Sequence, residues 1–254
     1  MSQTAKQRLL DRLRARLARL DHPPGGRPVL PLGLAAVDQV LPGGGLARGC
    51  LHELCGAPDR AAATGFAAAL LGRLAADGHA AWIGPRDDLY APGLAAQGLP
   101  PGRLIVVRAG PRDARLWALE EALRSPGLTA ALAEVDRLTL TQSRRLQLAA
   151  EAKGVTAFLL RPLAACEAPS AATTRWRITP LPAAADPDAA PRAWQPPRWQ
   201  VELIRCRGGR TGAWAIAWRE GGFHEITGAL ALAAEPGDRP DRAQNPVQKR
   251  AKSA

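Results

Sequence analysis

The sequence predicts an α/β protein: a mainly parallel, twisted sheet with helices on both faces and an antiparallel extension near the C-terminus. Three observations predict it. Short apolar runs alternate with segments of helical period between residues 51 and 160, which is how parallel strands joined by crossover helices read. Residues 49–71 run strand, glycine-opened turn, helix. Residues 199–205 and 214–219 alternate apolar and polar around Gly208-Gly209-Arg210-Thr211-Gly212, the pattern of a hairpin.

Taken in order, residues 4–20 read as an amphipathic basic helix. Leu9, Leu13, Leu17 and Leu20 share one face, and Lys6, Arg8, Arg12, Arg16 and Arg19 crowd the rest. This helix, within residues 1–21, either docks on its own domain or meets a partner or DNA. Residues 22–29 are a linker opened by His22-Pro23-Pro24-Gly25-Gly26. A core spans residues 30–232. Leu51, Leu54 and Cys55 mark its first strand, and residues 66–76 a helix that ends near Gly78. Strands follow at 80–83, 104–107, 130–135 and 155–160. Between them lie helices at 90–97, at 113–124 with Leu116, Leu119 and Leu123 inward, and at 141–153. Thr141 is the expected N-cap of the last, and Gly154 ends it. Beyond Pro162, proline and alanine dominate up to residue 198, around one short strand at 175–179. Residues 233–254 are polar and proline-bearing and read as a disordered basic tail. That tail is either a solvated terminus or a partner-binding segment centred on Lys249 and Arg250.

A chain of 254 residues, 46% hydrophobic, buries a sizeable core, here of alanine and leucine around seven tryptophans. The net charge is +11, and only four of the 34 cations are lysine. A GC-rich genome gives such an arginine excess, and so does bidentate contact with phosphates or carboxylates. The balance favours an anionic partner, DNA or an acidic protein surface. Cys50, Cys55, Cys166 and Cys206 include no C-x-x-C pair, so neither zinc nor a redox couple is expected. They read as core thiols of a reducing cytoplasm, with Cys50 and Cys55 on opposite sides of their strand. The four histidines have no ligand spacing, and no metal is expected. No apolar run approaches the ~18 residues of a membrane span. A cytoplasmic location follows, nucleoid-associated when engaged, with no membrane contact.

The strand–turn–helix at 49–71 has the frame of a P-loop. A working loop reads G-x-x-x-x-G-K-[ST]: backbone N–H groups and a lysine hold phosphates, and a hydroxyl holds Mg²⁺. Gly56 stands at the first glycine, with Asp59 and Arg60 inside the loop. Ala61, Ala62 and Ala63 occupy the places of the second glycine, the lysine and the Ser/Thr, and Thr64 follows. Losing the lysine removes a charge-assisted contact worth roughly 1.5–3 kcal/mol, and Ala61 adds a Cβ where backbone must approach phosphate. The expectation is no cofactor, no catalytic residue and no ATPase activity.

The flanking sequence carries a resemblance. Leu32-Gly33-Leu34-Ala35-Ala36-Val37-Asp38-Gln39-Val40-Leu41, leading into Gly43-Gly44-Gly45-Leu46-Ala47-Arg48-Gly49, resembles the entry to the RecA-type recombinase core. The likeness covers roughly residues 30 to 232 and implies a RecA-like fold. Arg144-Arg145-Leu146-Gln147-Leu148-Ala149-Ala150-Glu151-Ala152, then Ala157-Phe158-Leu159-Leu160-Arg161-Pro162, is similar to the ImuA group. These are RecA-like and SulA-like accessory proteins of bacterial mutagenic translesion synthesis.

The resemblance implies roles for particular positions. The place of the recombinase catalytic glutamate falls at about Arg86, beside Asp87 and Asp88. Glu134 or Asp136 stands near the Walker B carboxylate, and both read more simply as strand-end surface charges. Arg161 opens the second DNA loop, and Arg175 and Arg177 open the next strand, so these three are the candidate DNA contacts, set against an ordinary surface loop. Trp194 and Trp199 read as loop anchors or as platforms for bases. The implied function is a non-catalytic adaptor in SOS-induced error-prone translesion synthesis. Its expected partner is an ImuB-type Y-family polymerase homologue; RecA, an error-prone C-family polymerase alpha subunit and DNA are further candidates. The N-terminal helix (Leu9, Arg12, Leu13, Arg16, Leu17, Leu20), the tail and the basic surface are the expected docking regions. The alternatives are an active ATPase of RecA or KaiC type and a SulA-like cell-division inhibitor.

Overall fold

The computed structural model describes residues 27–57, 61–86, 88–182 and 195–226. The expected N-terminal helix, most of the linker, Asp59, Arg60, Asp87, Trp194 and the tail with Lys249 and Arg250 lie outside the described residues.

The chain opens with β1 (Val29–Leu30), α1 (Ala35–Asp38) and β2 (Leu46–Ala47), and β1 pairs antiparallel with β2. The Asp38 carboxylate fixes the turn between β1 and α1, accepting the N–H groups of Leu32 at 2.7 Å and Gly33 at 3.0 Å. The core then runs β3 (Leu51–Gly56), α2 (Ala61–Leu74), β4 (His79–Gly84), α3 (Ala91–Ala96), β5 (Leu104–Arg108), α4 (Arg112–Arg124), β6 (Leu128–Glu134), α5 (Leu140–Lys153) and β7 (Thr156–Pro162). A 3-10 turn (Leu163–Glu167) leads to β8 (Thr174–Pro180), β9 (Arg198–Cys206), β10 (Gly212–Arg219) and β11 (Gly222–Glu225). Every core helix and strand expected from the sequence is present. β11 and the β1–β2 pair are additions. α2 begins at Ala61 rather than Phe66, because alanines extend a helix at no propensity cost.

All but β1 and β2 join one nine-stranded sheet, in the order β11-β10-β9-β8-β3-β7-β6-β4-β5. Strands from β8 through β5 are parallel to their neighbours, and β9, β10 and β11 add antiparallel ones. Strand parity divides the core. Leu54, Trp82, Leu132, Phe158 and Trp176 point to one face, where α2 buries Phe66, Ala67, Leu70, Leu71 and Leu74. Leu51, Ile83, Ala133 and Leu159 point to the other, beneath Leu116, Leu119 and Leu123 of α4 and Leu146 and Ala150 of α5. The antiparallel strands add Trp199, Val201, Leu203, Trp214, Ile216, Trp218 and Phe223 to the α2 side. Trp199 is thus a core residue, 2% exposed, and anchors the extension. No helix among the described residues is long and apolar enough to cross a membrane.

α5 corrects the expected cap. Thr139, not Thr141, is the N-cap: its Oγ1 accepts from the Gln142 N–H at 3.2 Å, and Gln142 Oε1 accepts from the Thr139 N–H at 3.0 Å. The choice follows from Gln142, which completes a capping box only with a threonine three residues earlier. Gly154 ends the helix at φ 74°, a left-handed conformation suited to glycine. Thr139→Ala is expected to cost about 1 kcal/mol, and Thr141→Ala less than about 0.5 kcal/mol, by urea unfolding. Equal losses would return the cap to Thr141.

Candidate functional site

In an open parallel sheet the ligand end lies beyond the carboxyl ends of the strands. Gly56 closes β3 there, flanked by Pro162 of β7 and Ile178 of β8. On the far side of the turn, Ala61, Ala62, Ala63 and Thr64 form the first turn of α2, with Ala63 fully buried. The positions that hold phosphate and Mg²⁺ in a working loop therefore carry methyl groups. At the end of β4, Arg86 is exposed and ion-pairs with Asp88 at 2.6 Å. Glu134 is not the surface charge expected. It is 7% exposed, and its Oε1 accepts from Trp82 Nε1 at 3.1 Å. Gly84 makes room for it, since a Cβ there would lie 2.9 Å from that oxygen. No group of three His, Cys, Asp or Glu side chains fit to hold a metal ion occurs among the described residues.

The candidate DNA contacts have a different fate. Arg161 is 1% and Arg175 5% exposed. Both pair with Glu53, itself fully buried in the middle of β3: Arg161 Nη1 reaches Oε1 at 3.1 Å, and Arg175 Nε reaches Oε2 at 2.6 Å. Ser170 Oγ donates to Glu53 Oε1 at 2.7 Å, and Arg175 also donates to the carbonyls of Cys166 and Ala168. Neither guanidinium is presented to a nucleic-acid backbone, which corrects the expected contact. The reason is register: Arg161 and Arg175 lie on the sheet face that Glu53 shares, and a buried carboxylate needs paired donors. Arg177 is half-buried and pairs with Glu202 at 2.9 Å. Glu53 escaped the sequence reading, although a carboxylate inside the apolar run Leu51-His52-Glu53-Leu54-Cys55 signals a buried partner. Its neighbour His52 bonds Thr174 Oγ1 and the Ala47 carbonyl, and burial pushes its imidazole down to about 4.

Two surface features lie away from this end. A cleft of about 500 Å³, lined by Arg27, Arg48, Leu128, Glu151 and Gly154, sits at the amino ends of the strands, opposite Gly56. Its arginines are engaged, Arg27 with Glu151 at 3.1 Å and Arg48 with Asp77 at 3.3 Å. The second feature is β5, an edge strand paired only with β4. Its Ile105 and Val106 are each 49% exposed. Ala109 N–H bonds the Gly84 carbonyl, so by alternation the N–H and C=O of Val106 point outward. Beside it, Leu89, Leu94, Leu99, Leu104 and Val106 line an apolar depression of about 130 Å³.

No family model matches the chain. Among curated proteins, it is similar to Protein ImuA of Caulobacter vibrioides strain NA1000 / CB15N, 41% identical over 210 residues. The match covers 77% of this chain and 85% of the relative, and Protein ImuA of strain ATCC 19089 / CIP 103742 / CB 15 gives the same values. With that identity over most of both proteins, on an α/β core of the kind the entry phrase implied, the chain belongs to the ImuA family.

Proposed function

We propose that this protein is a non-catalytic, RecA-like adaptor in DNA-damage-induced, error-prone translesion synthesis, and that it binds an ImuB-type Y-family polymerase homologue. Membership of the ImuA family supports the pathway. The observation that carries the adaptor reading is the alanine run Ala61, Ala62 and Ala63 in the first turn of α2, behind a strand and glycine turn otherwise in place. A phosphate cradle without its lysine and hydroxyl leaves a scaffold for protein contacts. The β5 edge supports the same reading. An apolar edge strand with outward backbone groups accepts a further strand from a partner. RecA, a C-family polymerase alpha subunit and DNA remain proposed partners, through the N-terminal segment, the tail and the basic surface.

The test is capture from DNA-damaged cells with the full chain as bait, followed by identification of what is retained. The expected result is recovery of the polymerase homologue, weakened by Val106→Lys, which places a charge on the open edge. Recovery of only the division protein FtsZ would favour a SulA-like inhibitor. Micromolar MgATP binding with phosphate release would make the protein a motor and refute the adaptor reading.

A further inference from the structure

The buried arginine cluster is unbalanced. Two guanidiniums, Arg161 and Arg175, share one carboxylate, Glu53, and all three side chains are almost wholly buried. Arg161 Nε has no hydrogen-bond partner. Arg205 stands near enough for Arg175 and Arg207 to add to the burial that lowers its own pKa, and Arg177 is matched by Glu202. The cluster therefore carries about one uncompensated positive charge in a poorly solvated place, a costly arrangement unless a neighbour supplies an anion.

Two thiols lie inside this field. Cys55 ends the same face of β3 as Glu53, and its partners across the sheet are Arg161 on one side and Arg177 on the other. Cys166 sits in the 3-10 turn after β7, tethered through its carbonyl by Arg175. The two side chains are hydrogen-bonded to each other, and Arg177 donates to Cys166. Cys55 is fully buried, while Cys166 is 5% exposed.

We propose that Cys166 and Cys55 form a peroxide-reactive thiol pair, Cys166 being the attacking thiolate and Cys55 the resolving thiol. The charge argument supplies the thiolate, since ionised Cys166 supplies the anion that the arginines lack. The direction of the acidities agrees. The hydrogen bond from Cys55, helped by Arg177 and Arg175, pulls Cys166 down to about 7. The same hydrogen bond, with burial, raises Cys55 and keeps it protonated. Cys206 is pushed the other way by burial, to about 11.

The chemistry balances with a hydroperoxide as oxidant. The Cys166 thiolate attacks the peroxide oxygen, the O–O bond breaks, and the leaving alkoxide takes a proton from water as an alcohol. Cys166 is left as sulfenic acid. Cys55 loses its proton and attacks Cys166 Sγ, and the S–O bond breaks. The departing hydroxide and that proton leave as water. Two thiols and one hydroperoxide thus give one disulfide, one alcohol and one water. The bond would tie the segment after β7 to the end of β3, one residue before Gly56.

The test treats the full chain with hydrogen peroxide at pH 7, blocks the remaining thiols and maps tryptic peptides. Cys50→Ser provides the background, because Cys50 and Cys55 share the peptide from Gly49 to Arg60. The expected result is a Cys55–Cys166 cross-link, with Cys166 consumed on the order of tenfold faster than Cys206. Cys55→Ser should stop at sulfenic acid on Cys166, trapped by a 1,3-dione. Arg177→Met should slow the reaction without abolishing it. Oxidation at Cys206 first, or Cys55 and Cys166 reacting no faster than cysteine in a denatured sample of the same chain, would overturn the proposal. Mapping the unsubstituted chain gives the same decision if a variant fails to fold.

Discussion

Glu53→Gln is expected to destabilise the protein by about 3–5 kcal/mol, the cost of removing one member from a buried ion pair. The exchange keeps the shape and most of the hydrogen-bonding capacity of the side chain. What it removes is the negative charge between Arg161 Nη1 and Arg175 Nε. Two guanidiniums would then face one another across a neutral amide, away from water. The expected measurement is a lower urea midpoint at unchanged slope. The control is Glu53→Met combined with Arg161→Met and Arg175→Met, which removes all three charges at once. Buried pairs replaced wholesale by apolar groups often lose little stability, so the triple variant should recover most of what the single one loses. A Glu53→Gln protein within about 1 kcal/mol of the parent would mean that water reaches the triad, contrary to its burial.

That triad also shows where the sequence stops speaking. Strands β3, β4, β6 and β7 were legible because a strand buried on both faces is a continuous apolar run. The helices between them were legible through period and through glycines such as Gly154. β1 and β2 escaped because two-residue strands have no period to read. β11 escaped because only Phe223 of its four residues is buried. The arginines were misassigned for a different reason. Arg161 and Arg175 occupy positions at which the resemblance implies DNA contact, and nothing local in a sequence distinguishes an arginine at a surface loop from one inside a sheet. Strand register decides it, by placing both opposite Glu53. The alanines of the first turn of α2 were readable in full, since their meaning lies in what methyl groups cannot do. The open edge at β5 was not, because Leu104-Ile105-Val106-Val107 reads as a central strand until strand order is known.

Phe66→Ala should cost about 3–5 kcal/mol, the range for truncating a buried aromatic to alanine. Phe66 is fully buried on α2, and its ring meets three others: Phe223 at 5.3 Å, Trp199 at 5.7 Å in an edge-on arrangement, and Trp176 at 6.4 Å between centroids. Trp176 belongs to the parallel part of the sheet, whereas Trp199 and Phe223 belong to the antiparallel strands. The cavity would therefore open at the junction between the two. Gly65, one residue earlier, narrows the room for repair: a Cβ there would already lie 3.3 Å from the Trp199 ring. Collapse around the missing ring is thus restricted, which places the loss toward the upper end of the range, and Phe66→Leu should cost less. If the nine strands are one cooperative unit, tryptophan fluorescence and far-ultraviolet dichroism will lose structure together at a lower denaturant concentration. Separate transitions, with fluorescence changing first, would mean that β9 to β11 form an appendage whose packing on α2 can be lost while the parallel core stays folded.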